Sequence, residues 1–387
     1  MSALHHAIAG GHTDAARVLM LAGADVRLVD GRDGSALHYA VDGGHLQLAE
    51  NMVIGGADLD AEDNDGDTPI HLASAGDDKA FVGTLLLRGA SVSATNNKGQ
   101  HPLHVAVEHG RIAVAEALLK AGADPNILYD HDCSPLFMAR RNVVMTRSLL
   151  KHGADVKLVD SGGFTALHWA GEDGKADVIE ALVEAGADVE AQSGNVSYPA
   201  WGEFKKLTPL HVTALQRNTE GMSELLRQGA GVNATERKGQ TPLHVLCKTS
   251  AKDATPGDIK LTADTVDLLL RWGADETLID NRGRTPKQLV KVARVTRRLR
   301  KALANAPADR RDRAWRRRGM LVMCRAFPDK IATMAGTGRA GKAKARRGRG
   351  RGRGGGSAGG GRGKVNVLAR VVELADDAVF RTIVGFL

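Results

Sequence analysis

Cysteine is scarce in this chain, and its copies lie far apart. Cys133, Cys247 and Cys324 are the three cysteines among 387 residues, and no two of them are spaced as C-x-x-C. An odd number of distant cysteines excludes a disulfide framework and a structural zinc site, which favours a reducing compartment. We therefore expect an intracellular protein, cytoplasmic or nuclear.

Aromatic residues and long apolar runs are also lacking. Phe, Trp and Tyr number 7, 4 and 3, whereas glycine reaches 46. A core with few aromatics must be built from Leu, Val and Ala, which favours thin, repeated helices over an aromatic-packed sandwich. No run approaches the roughly 18 apolar residues that a membrane helix requires, and the N-terminus lacks the pattern of a signal peptide. We expect no membrane association.

The net charge of +8 conceals a strong asymmetry along the chain. Residues 1–280 carry 24 Lys and Arg against 39 Asp and Glu, a net charge of −15. Residues 281–364 carry 27 basic against 3 acidic side chains, a net charge of +24, and the last 23 residues carry −1. The sequence therefore joins an acidic body to a strongly basic segment.

A four-residue string, first seen as Ser2-Ala3-Leu4-His5, recurs along the acidic body. Its later copies start at Ser35, Thr68, His101, Ser134, Thr165, Thr208, Thr241 and Thr285, at steps of 33 residues and then of 31 to 44. A second string, Gly-Ala-Asp or a variant, keeps phase with it and starts at Gly23, Gly56, Gly89, Gly122, Gly153, Gly186, Gly229 and Gly273. Nine copies in phase predict a repeat architecture.

Each string has a local physical role. A hydroxyl residue followed by Pro supplies an N-cap and a first helical position where the missing N–H costs nothing. Leu103 and Ala106, then Val114, Ala117 and Leu118, have helical spacing and predict two apolar stripes on an antiparallel helix pair. The glycine of each Gly-Ala-Asp supplies the left-handed residue that ends the second helix. Short polar segments between the units predict projecting turns.

The 33-residue period, with T-P-L-H-x-A and L-L-x-x-G-A-D, resembles the ankyrin repeat. The resemblance covers about residues 1–300 in about nine units, and we expect the array to extend over residues 1–305. It implies an all-α fold, an ankyrin-repeat solenoid of stacked helix-turn-helix units with β-hairpin-like fingers. Beyond it we expect a basic helical segment at 306–335, a disordered Gly/Arg-rich linker at 336–364 and a short apolar helix at 365–387.

Seven of the 14 histidines occupy the fourth position of the first string, one in each of seven repeats. They are His5, His38, His71, His104, His168, His211 and His244. This spacing places them about a helix diameter apart, so we interpret them as structural, bonding the backbone or the capping Thr, and not as metal ligands. Neither H-E-x-x-H nor a phosphate-binding G-x-x-x-x-G-K-[ST] motif occurs. We expect no catalysis, no cofactor and no metal.

In the ankyrin family, partner contacts come mainly from finger tips and from the exposed side of each first helix, which line the concave face. Transferred by position, the implied contacts on fingers are Asn64, Asp65, Asp67, Asn97, Lys98, Gln100, Ser161, Phe164, Arg237, Lys238 and Gln240. Those on first helices are Glu108, His109, Glu172 and Asp173. For any single residue, a merely solvated polar surface is the alternative.

Two insertions interrupt the period. Between the sixth and seventh units, Gln192–Lys206 carries Tyr198, Trp201 and Phe204, three of the 14 aromatic residues. We expect this stretch in a finger, where aromatic side chains resemble interface hot spots; packing back over a neighbouring finger is the alternative. The second insertion, Thr249–Leu261, contains a Pro-Gly pair and predicts a surface loop between the helices of the eighth unit.

The basic segment and the C-terminus allow further interpretations. Arg-Gly alternation resembles the RGG segments of RNA-binding proteins and predicts weak, non-specific nucleic-acid binding. The candidate residues are Arg346, Arg347, Arg349, Arg351 and Arg353. The alternative is internal, with the basic segment folding back onto the acidic concave face. The residues from Leu374 to Leu387 faintly resemble the start of an F-box, against a helix that packs locally.

Together these features predict a monomeric, non-catalytic scaffold that binds a protein partner through the concave face and fingers. Two alternatives stay open. One is a ubiquitin-ligase substrate adaptor with an F-box-like C-terminal tail. The other is an RNA-associated protein that acts through the Gly/Arg-rich tail.

Overall fold

The structure of the protein is a computed structural model that describes residues 1–31, 34–198, 202–248 and 256–289. These residues divide into two compact units between Leu225 and Leu226, and each unit is described by itself. The predicted segments 306–335, 336–364 and 365–387 lie outside the described residues.

The first unit is built from helix pairs that follow the 33-residue period. The first helices are α1 Ala3–Ala9, α3 Ala36–Asp42, α5 Pro69–Ala75, α7 Pro102–Glu108, α9 Pro135–Met138, α11 Ala166–Asp173 and α13 Pro209–Gln216. The second helices are α2 Thr13–Leu21, α4 Leu46–Ile54, α6 Lys79–Leu87, α8 Ile112–Lys120, α10 Val143–Lys151, α12 Ala176–Glu184 and α14 Thr219–Arg227, whose last two residues belong to the second unit. A short 3₁₀ turn, Ala139–Arg141, extends α9. Successive first helices contact one another, as do successive second helices up to α12, so the pairs stack as two layers.

Local rules explain why each first helix begins where it does. In the third repeat, Thr68 is extended at the N-cap and Pro69 takes the first helical position. The Thr68 backbone N–H donates to Nδ1 of His71 at 3.1 Å, and the Thr68 hydroxyl lies 2.9 Å from the same nitrogen. This capping box satisfies groups that a helix start leaves unbonded, so the predicted structural role of the histidines is confirmed here.

Left-handed backbone at glycine ends the second helices, as predicted. Gly122 has φ of 97° and Gly186 has φ of 93°, in a backbone region that residues with a Cβ rarely adopt. The glycines of the other Gly-Ala-Asp strings share this conformation. The chain therefore leaves each second helix in the same direction and enters the next finger.

Apolar residues at equivalent repeat positions form the core between the two layers. Leu37, Ile70 and Leu103 on first helices are at most 1% exposed, and Val82 and Val114 on second helices are fully buried. Burying one such side chain contributes roughly 1.5–3 kcal/mol. Because equivalent positions recur along the array, the core continues from repeat to repeat, and Phe81 on α6 is an aromatic side chain buried within it.

The insertion between the sixth and seventh repeats forms an antiparallel hairpin. Strand β1, Asn195–Tyr198, pairs with β2, Gly202–Lys205, in the register Val196 to Phe204. The Ser193 N–H donates to the Leu207 carbonyl at 2.9 Å at the base of the hairpin. The sequence places the insertion in a finger, and the backbone agrees, because the hairpin lies between α12 and α13.

The second unit contains α15 Pro242–Lys248, α16 Pro256–Arg271 and α17 Pro286–Leu289. The prediction of a loop over the whole of Thr249–Leu261 is wrong, because α16 already begins at Pro256. A proline at the first position of a helix loses no hydrogen bond, so the Pro-Gly pair starts the helix instead of turning the chain.

Candidate protein-interaction surface

The fingers are the polar turns that precede each first helix, and a side-chain oxygen that accepts two backbone N–H groups closes them. In the third finger, Oδ1 of Asp63 accepts from the backbone N–H of Asp65 and of Asp67, both at 2.9 Å. Asn96 does the same for Lys98 and Gln100 in the fourth finger. A side-chain acceptor two and four residues before its donors closes the turn without strand pairing.

Histidine connects several of the first helices to the next finger. In the third repeat, Nδ1 of His71 accepts the backbone N–H of the cap, so Nε2 carries the proton and donates to the Gln100 carbonyl at 3.1 Å. The same long-range bond joins His38 to Asp67 at 2.9 Å and His168 to Leu207 at 3.0 Å. We call this set of contacts the histidine relay. Sequence reasoning found the cap but missed the second bond, since the acceptor lies 29 to 39 residues away.

The third and fourth fingers are also bonded to each other. The Asn97 backbone N–H donates to the Asp65 carbonyl at 3.0 Å, and the Asn97 amide donates to the Asn64 carbonyl at 3.0 Å. Nδ2 of Asn96 donates to Oδ1 of Asp67 at 2.7 Å. These bonds fix the two tips while the side chains of Asn64, Asp65, Asn97 and Lys98 remain exposed.

Three of the predicted contact residues are buried, which corrects their assignment. Gln100 is 7% exposed and donates to Glu108 Oε2 at 2.8 Å, and Gln240 is 1% exposed and donates to Asp280 Oδ2 at 3.2 Å. Phe164 is 6% exposed, because its finger turns it back against the ring of His168 at 5.3 Å. These side chains hold the fingers in place and do not present themselves to a partner.

On the first helices, the exposed candidates are Glu108 and His109 at the end of α7. Oε2 of Glu108 accepts the Gln100 amide, which ties this helix end to its own finger. His109 caps α7, with its backbone N–H donating to Val105 and Val107 carbonyls. Both residues therefore lie on the surface that the fingers and first helices form, which we call the finger face.

Glu172 and Asp173 lie at the end of α11 in different surroundings. Burial raises the pKa of Glu172, whose Oε1 accepts the Gln216 amide at 2.8 Å. Burial alone would also raise the pKa of Asp173, but hydrogen bonds from Arg141 and Arg140 outweigh it and hold that pKa below its usual value. Asp173 is thus an ionised, half-buried carboxylate held by two guanidinium groups from the preceding repeat, at 2.6 and 2.7 Å.

The same cluster contains an aromatic residue that the sequence did not single out. The guanidinium carbon of Arg140 lies 5.0 Å from the ring centroid of Trp169, a cation–π geometry. The Trp169 indole N–H donates to Asp160 Oδ2 at 2.9 Å. The signal was available, because Trp169 directly follows the histidine of its repeat string, where an exposed first-helix position is expected.

The remaining candidates differ in how far the structure describes them. Ser161 is exposed on the sixth finger, and Arg237 and Lys238 are exposed on the finger of the second unit. Tyr198 and Phe204 lie on the hairpin strands, where only their backbone is described, and Trp201 lies outside the described residues. Arg346, Arg347, Arg349, Arg351 and Arg353 also lie outside the described residues.

Two further findings concern only the described part of the chain. There, no three His, Cys, Asp or Glu side chains are grouped as metal ligands would be. The helices in these ranges are all too short or too polar to span a lipid bilayer.

Comparison with known proteins agrees with this geometry. A family model described as ankyrin repeats matches three times, at residues 1–63, 37–129 and 127–193. The crystal structure of the human ASB11 ankyrin repeat domain superposes with a TM-score of 0.51 at 27% identity, covering 60% of this chain and 99% of that one.

Two curated relatives are similar over part of their length. Ankyrin repeat and SOCS box protein 3 of Homo sapiens is 32% identical over 185 residues, which are 41% of this chain and 34% of that protein. Rabankyrin-5 of Homo sapiens is 33% identical over 121 residues, 28% of this chain and 10% of that protein. The chain therefore spans at most about a third of these two relatives.

Proposed function

Since the chain is an ankyrin-repeat protein, we propose that it is a non-catalytic scaffold that binds a protein partner through its finger face. Ankyrin repeats are generally protein-interaction modules, and the fold is typically a binding module without catalysis. The observation that carries the proposal is the pair of tips at the third and fourth fingers. Their backbones are fixed by hydrogen bonds, while Asn64, Asp65 and Lys98 offer exposed polar side chains.

Rigid tips of this kind favour binding because little conformational entropy is lost when a partner docks. The hairpin at 195–205 also belongs to a finger. We propose that Tyr198, Trp201 and Phe204 supply aromatic contacts to the partner there. Arg237 and Lys238 are proposed contacts on the second unit. The Gly/Arg-rich segment would add electrostatic attachment to an acidic partner or to nucleic acid.

Exchanging the charges of the two tips should weaken partner binding. Asp65→Lys combined with Lys98→Glu leaves the net charge unchanged, and the finger bonds survive because they use backbone groups of these residues. We expect recovery of the bound partners to fall at least about tenfold, as for desolvated interface charges. The measurement is quantitative mass spectrometry of proteins captured by the full chain and by the variant.

The matched control exchanges two exposed charges on a second helix. Lys175→Glu with Glu180→Lys also keeps the net charge, but Lys175 is the N-cap of α12 and Glu180 lies within that helix, so neither belongs to a finger. Its partners should match those of the wild type. Identical partner lists for the tip variant and the wild type would remove these fingers from the interface.

A second candidate function is substrate adaptor of a ubiquitin ligase. The similarity to ankyrin repeat and SOCS box protein 3 and to the ASB11 ankyrin repeat domain favours it, since the first of these names joins an ankyrin array to a SOCS box. In this chain the array would receive the substrate. The F-box-like residues 365–387 would dock on the ligase.

Deleting residues 365–387 distinguishes the adaptor function from the scaffold function. We expect a ligase scaffold protein to co-purify with the full chain and to be lost on this deletion, while partners held by the finger face remain. Deleting 336–364 instead serves as the control, because it shortens the tail but keeps the proposed docking residues. Absence of any ligase scaffold from the full-length sample would reject the adaptor function.

A further inference from the structure

The last residue of the second helices differs between three neighbouring repeats and the others. At the ends of α8, α10, α12, α14 and α16 this residue is charged and exposed, as Lys120, Lys151, Glu184, Arg227 and Arg271. At the ends of α2, α4 and α6 it is apolar, and its side chain is 84%, 63% and 89% exposed, as Leu21, Ile54 and Leu87. We call these three residues the apolar row.

The core does not account for the apolar row. In α4 the core-facing side chains are those of Met52 and Val53, which are at most 5% exposed, whereas Ile54 follows them and lies mostly in solvent. A single exposed leucine needs no explanation. Three apolar residues at one solvent-exposed repeat position, on three adjacent repeats, form a strip, and such strips mark interaction sites.

Hydrogen bonds between repeats keep the row residues in register. Nε of Arg27, in the segment after α2, donates to the Gly56 carbonyl after α4 at 3.1 Å. Oδ1 of Asp60, also after α4, accepts the backbone N–H of Ser91 after α6 at 3.2 Å. Each bond joins the segments that follow two adjacent row residues. The three helix ends are therefore held at a fixed spacing before any partner binds.

This spacing matches the heptad of an α-helix. Successive second helices contact one another, and packed helices lie about 8–10 Å apart, so the row repeats at about that distance. Seven residues of an α-helix rise about 10 Å and return a side chain to nearly the same side. Ala22 and Gly55, small exposed residues beside Leu21 and Ile54, leave space for the side chains between the heptad positions.

Charge defines what should lie beyond the last row residue, Leu87. The same repeat position continues as Lys120 and Lys151, both exposed, in the fourth and fifth repeats. Nζ of Lys120 lies 3.9 Å from Oε2 of Glu116 on its own helix, a long and exposed ion pair that contributes little. A helix that follows the row past Leu87 therefore meets cationic groups, which acidic side chains would complement.

We propose that the apolar row is a second docking site, separate from the finger face, and that it binds an amphipathic α-helix of a protein partner. The helix crosses α2, α4 and α6 with an apolar residue at every seventh position, and its acidic residues lie next to Lys120. Recognition of a helix depends on a few such apolar anchors. A second copy of the chain fits less well, because three side chains expose well under the roughly 800 Å² that each partner of a stable complex buries.

The test titrates the full chain with three fluorescent, helical peptides rich in alanine and glutamine. The heptad peptide carries leucine at three positions seven apart and glutamate in the following heptad. The scattered peptide has the same composition with its leucines five apart, which distributes them around the helix. The lysine peptide is the heptad peptide with lysine in place of glutamate. Fluorescence anisotropy gives each affinity.

We expect saturable binding of the heptad peptide. The scattered peptide should bind at least about tenfold more weakly, and the lysine peptide about threefold more weakly. Methyl NMR of isotope-labelled isoleucine and leucine locates the site: the heptad peptide should shift the signal of Ile54, which is identified in the variant Ile54→Val.

Variants connect the affinities to the row. Leu21→Gln combined with Ile54→Gln and Leu87→Gln should weaken binding of the heptad peptide at least about tenfold. Lys120→Gln with Lys151→Gln should remove the difference between the heptad and lysine peptides. The matched control, Val144→Gln with Val159→Gln, removes two valines outside the row that are 55% and 47% exposed, and should bind like the wild type. A melting curve for each variant verifies that it is folded.

Equal affinity for the heptad and scattered peptides, or unchanged binding by the row variant, would overturn the inference. Two other occupants have their own measurements: vesicles of phosphatidylserine and phosphatidylcholine in equal parts, and sedimentation equilibrium of the free chain. If the row variant loses vesicle binding or self-association while the peptides show no preference, the row binds a lipid surface or a second copy, and the helix site is rejected.

The outcome is independent of the scaffold function at the finger face. Asp65→Lys with Lys98→Glu changes the tips of the third and fourth fingers and should leave binding of the heptad peptide unchanged. Loss of peptide binding in this variant would place the peptide on the finger face and contradict the second site. If the tip variant keeps every partner, the finger-face proposal fails, and the peptide affinities still decide whether the row binds a helix.

Discussion

Replacing His168 by alanine is expected to lower the free energy of unfolding of the surrounding repeats by about 3 kcal/mol. His168 is 1% exposed and joins two elements that are distant in sequence. Its Nδ1 accepts the Thr165 N–H at 3.0 Å, and its Nε2–H donates to the Leu207 carbonyl at 3.0 Å. Alanine would leave the Thr165 amide unbonded in a buried cavity and would remove one of the two hydrogen bonds that the Leu207 carbonyl accepts, the other coming from the Ser193 N–H. Both effects act in the same direction.

The loss should be local, because each repeat contacts mainly its neighbours. Hydrogen exchange measured by mass spectrometry should show faster exchange at 164–175 and at 193–212, with little change in α1 to α6. Chemical denaturation of the same samples gives the total loss of stability. Thr165→Val removes only the capping hydroxyl and should cost about 1 kcal/mol.

The control is His109→Ala, which removes an exposed histidine outside the relay. A surface substitution of this kind changes stability by no more than about 0.5 kcal/mol. If His168→Ala and His109→Ala unfold at the same denaturant concentration, the relay contributes nothing and the histidines act only as space-filling residues.

The histidine relay also shows which features of this fold the sequence predicts and which it does not. Caps, turn glycines and apolar stripes depend on residues three or four positions apart, so a single repeat is enough to predict α5 or α7. The Nε2 bond of His71 to Gln100 depends on where the next repeat stacks, and no local rule contains that distance. The start of α16 at Pro256 also depends on neighbouring residues, but a Pro-Gly pair is compatible with both a helix start and a turn. The sequence alone does not choose between these two conformations.

The candidate interaction surface likewise combines features that the sequence predicts with features that it does not. Exposed tips such as Asp65 and Lys98 follow from their place in the repeat. Gln100, Gln240 and Phe164 occupy finger positions too, yet they are buried, because each finds a bonding or packing partner on its own or an adjacent repeat. The cluster of Arg140, Trp169 and Asp173 likewise joins two repeats. Tertiary neighbours, which the period does not specify, decide whether a finger side chain faces a partner or the fold.

Stability should fall steeply as the pH drops from about 6.5 to 4.5. Burial lowers the pKa of His168 to about 4, and burial together with the nearby His101 lowers the pKa of His104 to about 4. In the unfolded chain both titrate near 6.5, so in this range the unfolded state binds more protons and acid favours it. The two contributions are complete above pH 6.5 and are lost toward pH 4, on the order of 3 kcal/mol each.

Other groups modify this pH dependence without reversing it. Burial also lowers the pKa of His71 and of His244, which adds to the acid sensitivity. Burial raises the pKa of Glu172 and of Glu236, so these carboxyl groups favour the folded state at low pH and offset part of the loss. Asp280, whose pKa is lowered by Arg284 against the effect of burial, loses its contribution mainly below pH 4, outside the proposed range.

Denaturation midpoints measured from pH 4.5 to 8.5 test this assignment, with a plateau expected above pH 7. His104→Gln with His168→Gln should be less stable than the wild type at pH 8, because glutamine replaces the relay bonds poorly, but its midpoint should depend less on pH. His6→Ala with His109→Ala removes two exposed histidines and should follow the wild-type curve. Parallel curves for the wild type and the glutamine variant would contradict the assignment to His104 and His168, since removing the two buried imidazoles would then have left the difference in bound protons unchanged.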